Sequence, residues 1–588
     1  MQTHRGKIRM SIALIAFAIV ALSLPTPLTL ASTNHTVIVA QYRQDVPVTL
    51  DAASANEIST LDPSLASDTV SISVIENLFL GLTNMDPATN QILPELATAW
   101  EVDTSGTRWT FTLRDDVYWL RYDPATQEAD RIRPVNAGDV VYGIKRSCDP
   151  RLGGYYGTIL AKVIAGCDAI NQTPRADVTD SLVYGDTVQA IAPNDTTVII
   201  ELSFPASFFL SMTPLVAMRP LPAEAITGYG DDWTDPGTIL TNGPFFIEEV
   251  ARGVRRRFVR NETLPQDLLS GNGNIEVVNN TIVEDLSTAF ALYQRDRIDS
   301  SSVPPAELQA LLEDPDYQDQ ILQIFDLSVF YFGYMHDKPP FDNIHVRRAF
   351  SAIISREAFV AQLRGGRGLP AIHFTPPGLA HAPPINEIGV GFDPVYAADQ
   401  LAQAGYPDCQ GLADVTIVTY SGAGSWGEFW AASAERYLGC EPELFTIEQV
   451  EFSVLLELID SDTPAQDRPN AWTLGWSPNY ADANSFVNDV LSCTAENRFR
   501  RNCSAVDDLI EEAAREPDPA VRDELYAEVE SAFFGPEGDF PLVPLFVNAD
   551  YILVKPWFDG PFQTDGIFSG VHWDAYSIDM AAKLAARG

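Results

Sequence analysis

Residues 332–357 read FGYMHDKPPFDNIHVRRAFSAIISRE, and this stretch carries the pattern that decides the fold. Residues 327–334, which overlap its start, have the composition of a strand. Pro339-Pro340 then imposes an extended approach to a helix that begins near Asn343. Apolar side chains at helical spacing continue over 346–363. A strand that leads into a helix in this way is the unit from which α/β layers are built.

The same alternation of strands and helices extends along the rest of the chain. Strands are predicted at 37–42, within 96–119, at 198–202, 415–420, 542–547 and 551–554, and in a hairpin over 245–259 that turns at Arg252-Gly253. Helices are predicted at 68–82, 284–295, 346–363, 393–404, 428–438, 506–515 and 520–533. The pattern predicts an α/β fold.

Length and charge limit the classes of protein to consider. The chain has 588 residues, of which 46% are hydrophobic, so it exceeds one ordinary domain and two or three domains are expected. Its formal net charge of -42 disfavours nucleic acid and anionic lipid as partners and indicates a strongly hydrated surface. The acidity is compatible with cationic ligands, but total charge does not identify a pocket.

The N-terminal residues predict export from the cytoplasm. Three basic side chains precede an uncharged apolar run at 11–24, and the small residues Thr29 and Ala31 suit positions −3 and −1 of a cleavage site. We therefore expect residues 1–31 to be a cleaved signal peptide, with an uncleaved anchor as the alternative. The first cysteine is Cys148, so a lipid-anchored lipoprotein N-terminus is not expected.

The chain has six cysteines, an even number that suggests disulfides in an oxidising compartment. Several pairings are possible from sequence alone. Pairing between neighbours is the simplest because each pair then lies in one local segment, and it gives Cys148–Cys167, Cys409–Cys440 and Cys493–Cys503. Neither a CxxC pair nor the Cys/His spacing of a zinc site is present, so no metal and no cofactor are expected.

A second stretch, WTLGWSPNYADANSF at 472–486, resembles the pocket wall of the oligopeptide- and dipeptide-binding proteins of bacterial ABC importers. These are the family 5 extracellular solute-binding proteins. The resemblance runs over nearly all of the mature chain and takes the form of an ordered series of segments. The other segments are 58–82, 93–119, 134–150, 230–249, 332–357, 369–378, 401–407 and 540–557.

The resemblance implies a two-lobed periplasmic-binding-protein type II fold with an extra inserted subdomain. The ligand would lie between the lobes and be buried when they close, and two strands near 302 and 541 would form the hinge. The implied boundaries are 32–78, 190–302 and 541–588 for lobe I, 79–189 for the inserted subdomain and 303–540 for lobe II.

Aligned by motif, the resemblance also implies a set of ligand-binding residues. They are Ser67, Asp68 and Thr69 on one wall, Gly475, Trp476, Ser477 and Asn479 on the other, Tyr156 and Tyr331 as aromatic lining, and Trp426 and Asp482 nearby. Each has a structural alternative. Asp68 is equally suited to cap the helix that follows it, Tyr156 to be a turn residue, and Tyr331 and Trp476 to be core residues.

Asn479 departs from the family pattern. The family motif GW-x-x-D-Y has an aspartate at this position, and that aspartate holds the free amine of a peptide. An amide offers only a neutral hydrogen bond to an ammonium group. Asp482 or Asp68 is a candidate to replace the lost charge. A blocked peptide, a sugar-like solute or another polar molecule therefore stands beside a free peptide as the expected ligand.

The implied function is an extracytoplasmic, monomeric solute-binding protein that captures a peptide or similar polar solute and delivers it to the permease of an ABC importer. No enzymatic activity is expected, because the sequence has neither HExxH nor GxSxG. A secreted hydrolase, or a ligand sensor or peptide chaperone on the same fold, are the alternatives. A GxGxxG at 422–427 follows a strand, but a βα turn facing the cleft explains it better than a nucleotide site.

Overall fold

The computed structural model describes residues 46–86, 89–562 and 572–588. The predicted signal segment 1–31 and the predicted strand 37–42 lie outside these residues. The chain divides into two compact units, Met1–Pro47 and Val48–Gly588, and the fold described below is that of the second unit.

The largest sheet of the second unit is mixed. Antiparallel neighbours make up one side of it, and the last two pairings are parallel. Its strands, in spatial order, are Ser300–Ser302, Leu542–Val554, Ile321–Tyr334, Ala471–Trp476, Val415–Tyr420 and Phe445–Val450, with the short strand Leu369–Pro370 against Leu542–Val554. Helices cover both faces, as parallel pairings in an α/β sheet require.

Successive side chains of this sheet enter different hydrophobic cores. Tyr331, Trp472 and Leu474 pack into one cluster, whereas Phe332 and Ala471 pack into another. Because side chains alternate between the faces of a strand, the two clusters lie on opposite faces of the sheet. This alternation decides which aromatic side chains can reach a site on one face.

The two longest strands, Ile321–Tyr334 and Leu542–Val554, pair with each other along most of their length. The sequence predicted two strands at 542–547 and 551–554, and this is wrong. The strand continues between them across a register shift at residue 548, with Ala549 opposite Phe325 and Asp550 opposite Ile324. The pairing partner keeps the backbone extended where local composition indicates a break.

Two four-stranded sheets belong to the first half of the chain. One contains Thr49–Ser54, Val277–Ile282, Arg255–Arg260 and Phe245–Ala251, and the other Ala97–Val102, Arg108–Leu113, Thr197–Glu201 and Ala190–Asn194. Three antiparallel two-stranded sheets account for the other strands of the described residues: Thr83–Met85 with Ile92–Pro94, Tyr118–Asp123 with Glu128–Pro134, and Phe558–Asp559 with Ser577–Ile578. The predicted hairpin at 245–259 is confirmed.

The α-helices agree with most of the sequence predictions. They are Thr69–Leu78, Ala137–Ser147, Tyr155–Ala161, Cys167–Asn171, Asp180–Tyr184, Ala223–Tyr229, Leu286–Gln294, Leu308–Glu313, Ile344–Ala352, Arg356–Leu363, Pro394–Gln403, Gly424–Leu438, Phe452–Leu458, Asn484–Phe486, Ala505–Arg515, Pro519–Phe534 and Met580–Arg587. Among the described residues, no helix has both the length and the apolar composition needed to cross a membrane.

The helix predicted over 346–363 is two helices. Ser355 caps the second one by accepting a hydrogen bond from the backbone N–H of Ala358. The guanidinium group of Arg356 is buried there and donates to the carbonyl groups of Ala371 and Pro544, at 3.2 and 3.0 Å. These hydrogen bonds anchor Arg356 at the break between the two helices. Helical periodicity in the sequence does not reveal that break.

All three predicted disulfides are present. Cys148–Cys167, Cys409–Cys440 and Cys493–Cys503 join Cα atoms 5.4, 4.9 and 5.1 Å apart. The first and third of them close short segments that contribute to the site described next.

Candidate functional site

A shallow depression, whose empty space of about 260 Å³ includes open solvent, lies on one face of the largest sheet. Three parts of the chain line it: the strand Ile321–Tyr334, the end of the strand Ala471–Trp476, and the segment 489–499. A fourth segment, 148–167, faces them and contacts Asp489 through Lys162. The lining residues are Tyr331, Trp476, Asp489, Val490, Glu496, Asn497, Arg498 and Phe499. It therefore combines aromatic side chains with charges of both signs.

Trp476 owes its place to strand periodicity. Trp472 and Leu474 share its face and are buried, but Trp476 is the last residue of the strand and is only partly covered. Its indole N–H donates to the carbonyl oxygen of Ser485 at 2.8 Å. The ring is therefore fixed at the open edge of the core.

Asp489 is the buried carboxylate of the depression. It lies in a π-helical turn, Val487–Leu491, a geometry that is rare and often found at functional sites. Its side chain is 7% exposed, and one carboxylate oxygen is 3.5 Å from the Nζ atom of Lys162. Burial raises the pKa of Asp489, while Lys162, Asn479 and Tyr480 act in the opposite direction.

Asn479 connects Asp489 to the opposite wall. Its side-chain amide donates to Oδ2 of Asp489 at 3.1 Å, and its Oδ1 accepts from the hydroxyl of Tyr155, also at 3.1 Å. Its backbone N–H donates to Oγ of Ser485 at 2.7 Å. The amide of Asn479 therefore orients a carboxylate that lies ten residues later in the chain.

The opposite wall is the segment closed by the Cys148–Cys167 disulfide. Tyr155 and Lys162 lie at the two ends of its helix, and their exposed fractions are 46% for the Tyr155 residue and 51% for the Lys162 side chain. Gly154 is required just before the helix, because a Cβ atom there would lie 2.2 Å from the carbonyl oxygen of Ser64. That close approach sets the position of Tyr155.

The third wall is the segment closed by the Cys493–Cys503 disulfide. Within it, Arg498 and Glu496 form an ion pair at 2.5 Å. Burial raises the pKa of Tyr155, Asp489 and Glu496 raise it further, and Arg498 opposes them. This wall therefore adds one charge of each sign to the depression.

The structure brings together three of the residues predicted from sequence, namely Tyr331, Trp476 and Asn479. Tyr331 is 1% exposed and contributes the edge of a largely buried ring. Tyr156 is 5% exposed and packs in the hydrophobic core, and its neighbour Tyr155 is the residue that contacts Asn479.

Ser67, Asp68 and Thr69 do not line the depression. Asp68 caps the helix Thr69–Leu78, accepting from the backbone N–H of Ser71 at 2.8 Å and from its hydroxyl at 2.7 Å. The structural alternative for Asp68 is thus observed. Ser67 and Thr69 are exposed beside it.

Trp426 and Asp482 have internal partners, so we leave them out of the site. Trp426 is 5% exposed and lies in a cluster of aromatic rings formed by Phe330, Phe359, Tyr420 and Phe546. Asp482 is 2% exposed and accepts two hydrogen bonds from Arg522, at 2.9 and 3.1 Å. Neither side chain is free to contact a solute in the depression.

Gly475 and Ser477 support the wall from behind. A Cβ atom at Gly475 would lie 2.8 Å from the ring of Phe330 on the neighbouring strand. The hydroxyl group of Ser477 shares a 2.7 Å hydrogen bond with that of Ser328. Both residues therefore hold the end of the strand in place.

The glycines of the GxGxxG stretch serve helix packing. A Cβ atom at Gly424 would lie 2.3 Å from the side chain of Gln449, and one at Gly427 would lie 3.1 Å from Ile447. The helix Gly424–Leu438 can thus approach the sheet closely, which accounts for these two glycines without a nucleotide.

The family model described as bacterial extracellular solute-binding proteins, family 5 Middle, matches residues 91–498. The chain belongs to this family. The predicted α/β, type II binding-protein fold is confirmed.

Two curated family 5 relatives come from Escherichia coli (strain K12). The periplasmic oligopeptide-binding protein OppA is 26% identical over 520 residues, covering 87% of this chain and 89% of OppA. The probable deoxycholate-binding periplasmic protein YgiS is 24% identical over 532 residues, covering 88% and 93%. The solved structure of the murein tripeptide-binding protein MppA, in its unliganded open form, has a TM-score of 0.72 at 24% identity and covers 90% of this chain and 96% of MppA.

Sequence reasoning missed Asp489, Lys162 and Tyr155. Asp489 lies outside the motif that identifies the family, and nothing local distinguishes it among the 80 acidic residues of the chain. Lys162 reaches the site only through tertiary structure. A signal for Tyr155 was present in the Gly-Gly-Tyr-Tyr turn, but the sequence does not show which tyrosine faces outward.

Proposed function

We propose that this protein is exported, captures a peptide or a similar polar solute in the depression, and delivers it as a monomer to the membrane permease of an ABC importer without transforming it. The predicted signal peptide 1–31 supports export. The names of OppA and MppA support peptides as ligands, and the name of YgiS extends the proposal to other solutes.

One observation carries this proposal: the depression has walls from distant parts of the chain. Tyr155 and Lys162 face Asn479 and Asp489 more than 300 residues later, and polar side chains make the contacts. Walls of this kind can separate and rejoin around a solute, which is how two-lobed binding proteins work.

We further propose that the lobes have the boundaries 32–78, 190–302 and 541–588 for the first, 303–540 for the second, and 79–189 for the inserted subdomain. Two strands near 302 and 541 would form the hinge, and the second of them is Leu542–Val554, which pairs with Ile321–Tyr334. Their register shifts between Phe325 and Val329, and the side chain of Asn548 donates to Asp326 there at 2.6 Å. An irregular ladder is a suitable place for the backbone to bend.

Native mass spectrometry of gently purified protein tests the proposal, because a captured solute adds a discrete mass. Small-angle scattering of the same sample, before and after the solute is removed by partial unfolding and refolding, should show a larger radius of gyration without solute. Absence of any bound solute, together with no change of shape on adding peptide mixtures, would contradict the proposal.

A further inference from the structure

We propose that Asp489 binds a cationic group of the solute, and that the ammonium group of Lys162 occupies this position when no solute is bound. This inference rests on the proposed function and deepens it, because it names the ligand class: a solute that carries an ammonium group, such as the free amine of a peptide or a polyamine.

The surroundings of Asp489 suit a cation. Its side chain is 7% exposed, and a carboxylate removed from water requires a positive partner or strong hydrogen bonds. The hydrogen bond from Asn479 and the π-helical turn hold the carboxylate in place. The partly exposed ring of Trp476 lines the same depression, and aromatic faces attract cations.

Lys162 is a weak partner for this carboxylate. The distance of 3.5 Å exceeds the ~2.7–2.9 Å of a strong charged hydrogen bond, and the Lys162 side chain is 51% exposed. An ion pair with one exposed partner contributes little, so an incoming cation can replace it. The exchange conserves charge, because one ammonium group leaves the carboxylate as another arrives.

The other cation of the depression does not neutralise Asp489. Arg498 pairs with Glu496 at 2.5 Å, whereas the cation that pairs with Asp489 is Lys162. The net charge that a solute meets beside Trp476 is therefore that of Asp489 and its loosely held lysine.

Lys162 also links occupancy to the opposite wall. It ends the helix whose first residue, Tyr155, donates to Asn479. A cationic solute at Asp489 therefore removes one of two polar contacts between the wall 148–167 and the segment 479–489. The internal lysine makes binding competitive and favours solutes whose cation approaches Asp489 more closely than 3.5 Å.

The test compares immobilised wild-type protein with the variants Lys162→Met, Asp489→Asn and Arg175→Met. Arg175 lies on the same subdomain and is exposed, so its variant controls for loss of one positive charge. The probes are a synthetic pool of tripeptides without basic side chains, the same pool with acetylated amines, and spermidine. Retention is quantified by mass spectrometry at fixed ionic strength.

The wild type should retain the free-amine pool or spermidine more strongly than the acetylated pool. Asp489→Asn should reduce this retention about tenfold or more, because a charge-assisted bond is lost. Lys162→Met should increase it about two- to fivefold, the factor expected for removing a half-exposed ion pair. Arg175→Met should behave like the wild type.

Equal retention of the free and acetylated pools by the wild type and Asp489→Asn would overturn this inference and leave the proposed function intact. Weaker retention by Lys162→Met would overturn the proposal that Lys162 competes with the solute for Asp489, since Lys162 would then contact the solute itself. If no probe is retained by any of the proteins, both proposals fail.

Discussion

Asp482 and Asp489 lie seven residues apart on one segment, yet their surroundings differ. Asp482 is paired with Arg522 at 2.9 Å, and the two side chains are 3% and 5% exposed. Asp489 is 3.5 Å from Lys162, and the exposed fractions are 7% and 51%. One carboxylate has a buried cation that solvent cannot reach, and the other has a cation that can leave. The partner, rather than the acid, distinguishes a structural charge from one available to a solute.

The largest expected difference is in the free energy of unfolding when Arg522 or Lys162, the cation paired with each aspartate, is removed. Arg522→Met leaves Asp482 buried without a partner and should lower the free energy of unfolding by about 3–5 kcal/mol. Lys162→Met should lower it by less than about 1 kcal/mol. Urea denaturation followed by circular dichroism measures both, and similar losses in the two variants would contradict the distinction.

The second-largest loss of stability should come from removing the Cys493–Cys503 disulfide, which closes the wall that contains Glu496 and Arg498. Replacing Cys493 and Cys503 by serine removes a cross-link over ten residues, for which loop entropy gives about 3 kcal/mol. Solute retention should fall as well, because the wall is no longer held. The matched control is Cys409→Ser with Cys440→Ser, which should lower stability and leave retention unchanged. Equal retention in both double variants would contradict the claim that the segment closed by Cys493–Cys503 forms a wall of the binding site.

Neutralising each acid should change stability in opposite directions. Because burial raises the pKa of Asp489, its charged form is disfavoured in the folded protein, and Asp489→Asn should raise the free energy of unfolding at pH 7 by about 0.5–1 kcal/mol. Asp482→Asn weakens the pair with Arg522 and should lower it by about 1–3 kcal/mol. Thermal unfolding distinguishes the two outcomes, and a loss of stability in both would show that Asp489 is structural too.

Asn479→Asp tests how the motif and Asp489 are related. The new carboxylate would lie about 3 Å from Asp489, as the amide does now, and two such groups cannot both ionise readily. Affinity for free-amine peptides should therefore change by less than about threefold at pH 6 and rise toward pH 8. Titration calorimetry at the two pH values checks this, and a large gain at pH 6 would mean that Asn479 alone faces the solute.

The pH dependence of binding should be the smallest effect near neutrality. Because the pKa of Asp489 is raised above 3.8, lowering the pH protonates it earlier than an ordinary aspartate, and affinity for a cationic solute should begin to fall above pH 3.8. The ammonium group of the solute stays charged over this range. Asp489→Asn should remove this dependence, whereas an unchanged pH profile in that variant would assign it to another group.

Much of the fold follows from the sequence because it rests on local patterns. The hairpin at 245–259, the helix capped by Asp68 and the three neighbouring disulfides are all local. The site is less predictable because its partners are distant. The hydrogen bond between Tyr155 and Asn479 joins residues 324 positions apart, and no periodicity encodes it. The motif points to Asn479, but the carboxylate that Asn479 orients lies outside the motif.

The central claim is that Asp489 anchors the captured solute. Native mass spectrometry of wild-type, Lys162→Met and Asp489→Asn proteins, purified gently from the same host, tests it most directly. We predict a bound solute on the wild type, equal or higher occupancy in Lys162→Met, and loss of the solute in Asp489→Asn, although that protein remains folded. The same solute at the same occupancy in Asp489→Asn would contradict the account.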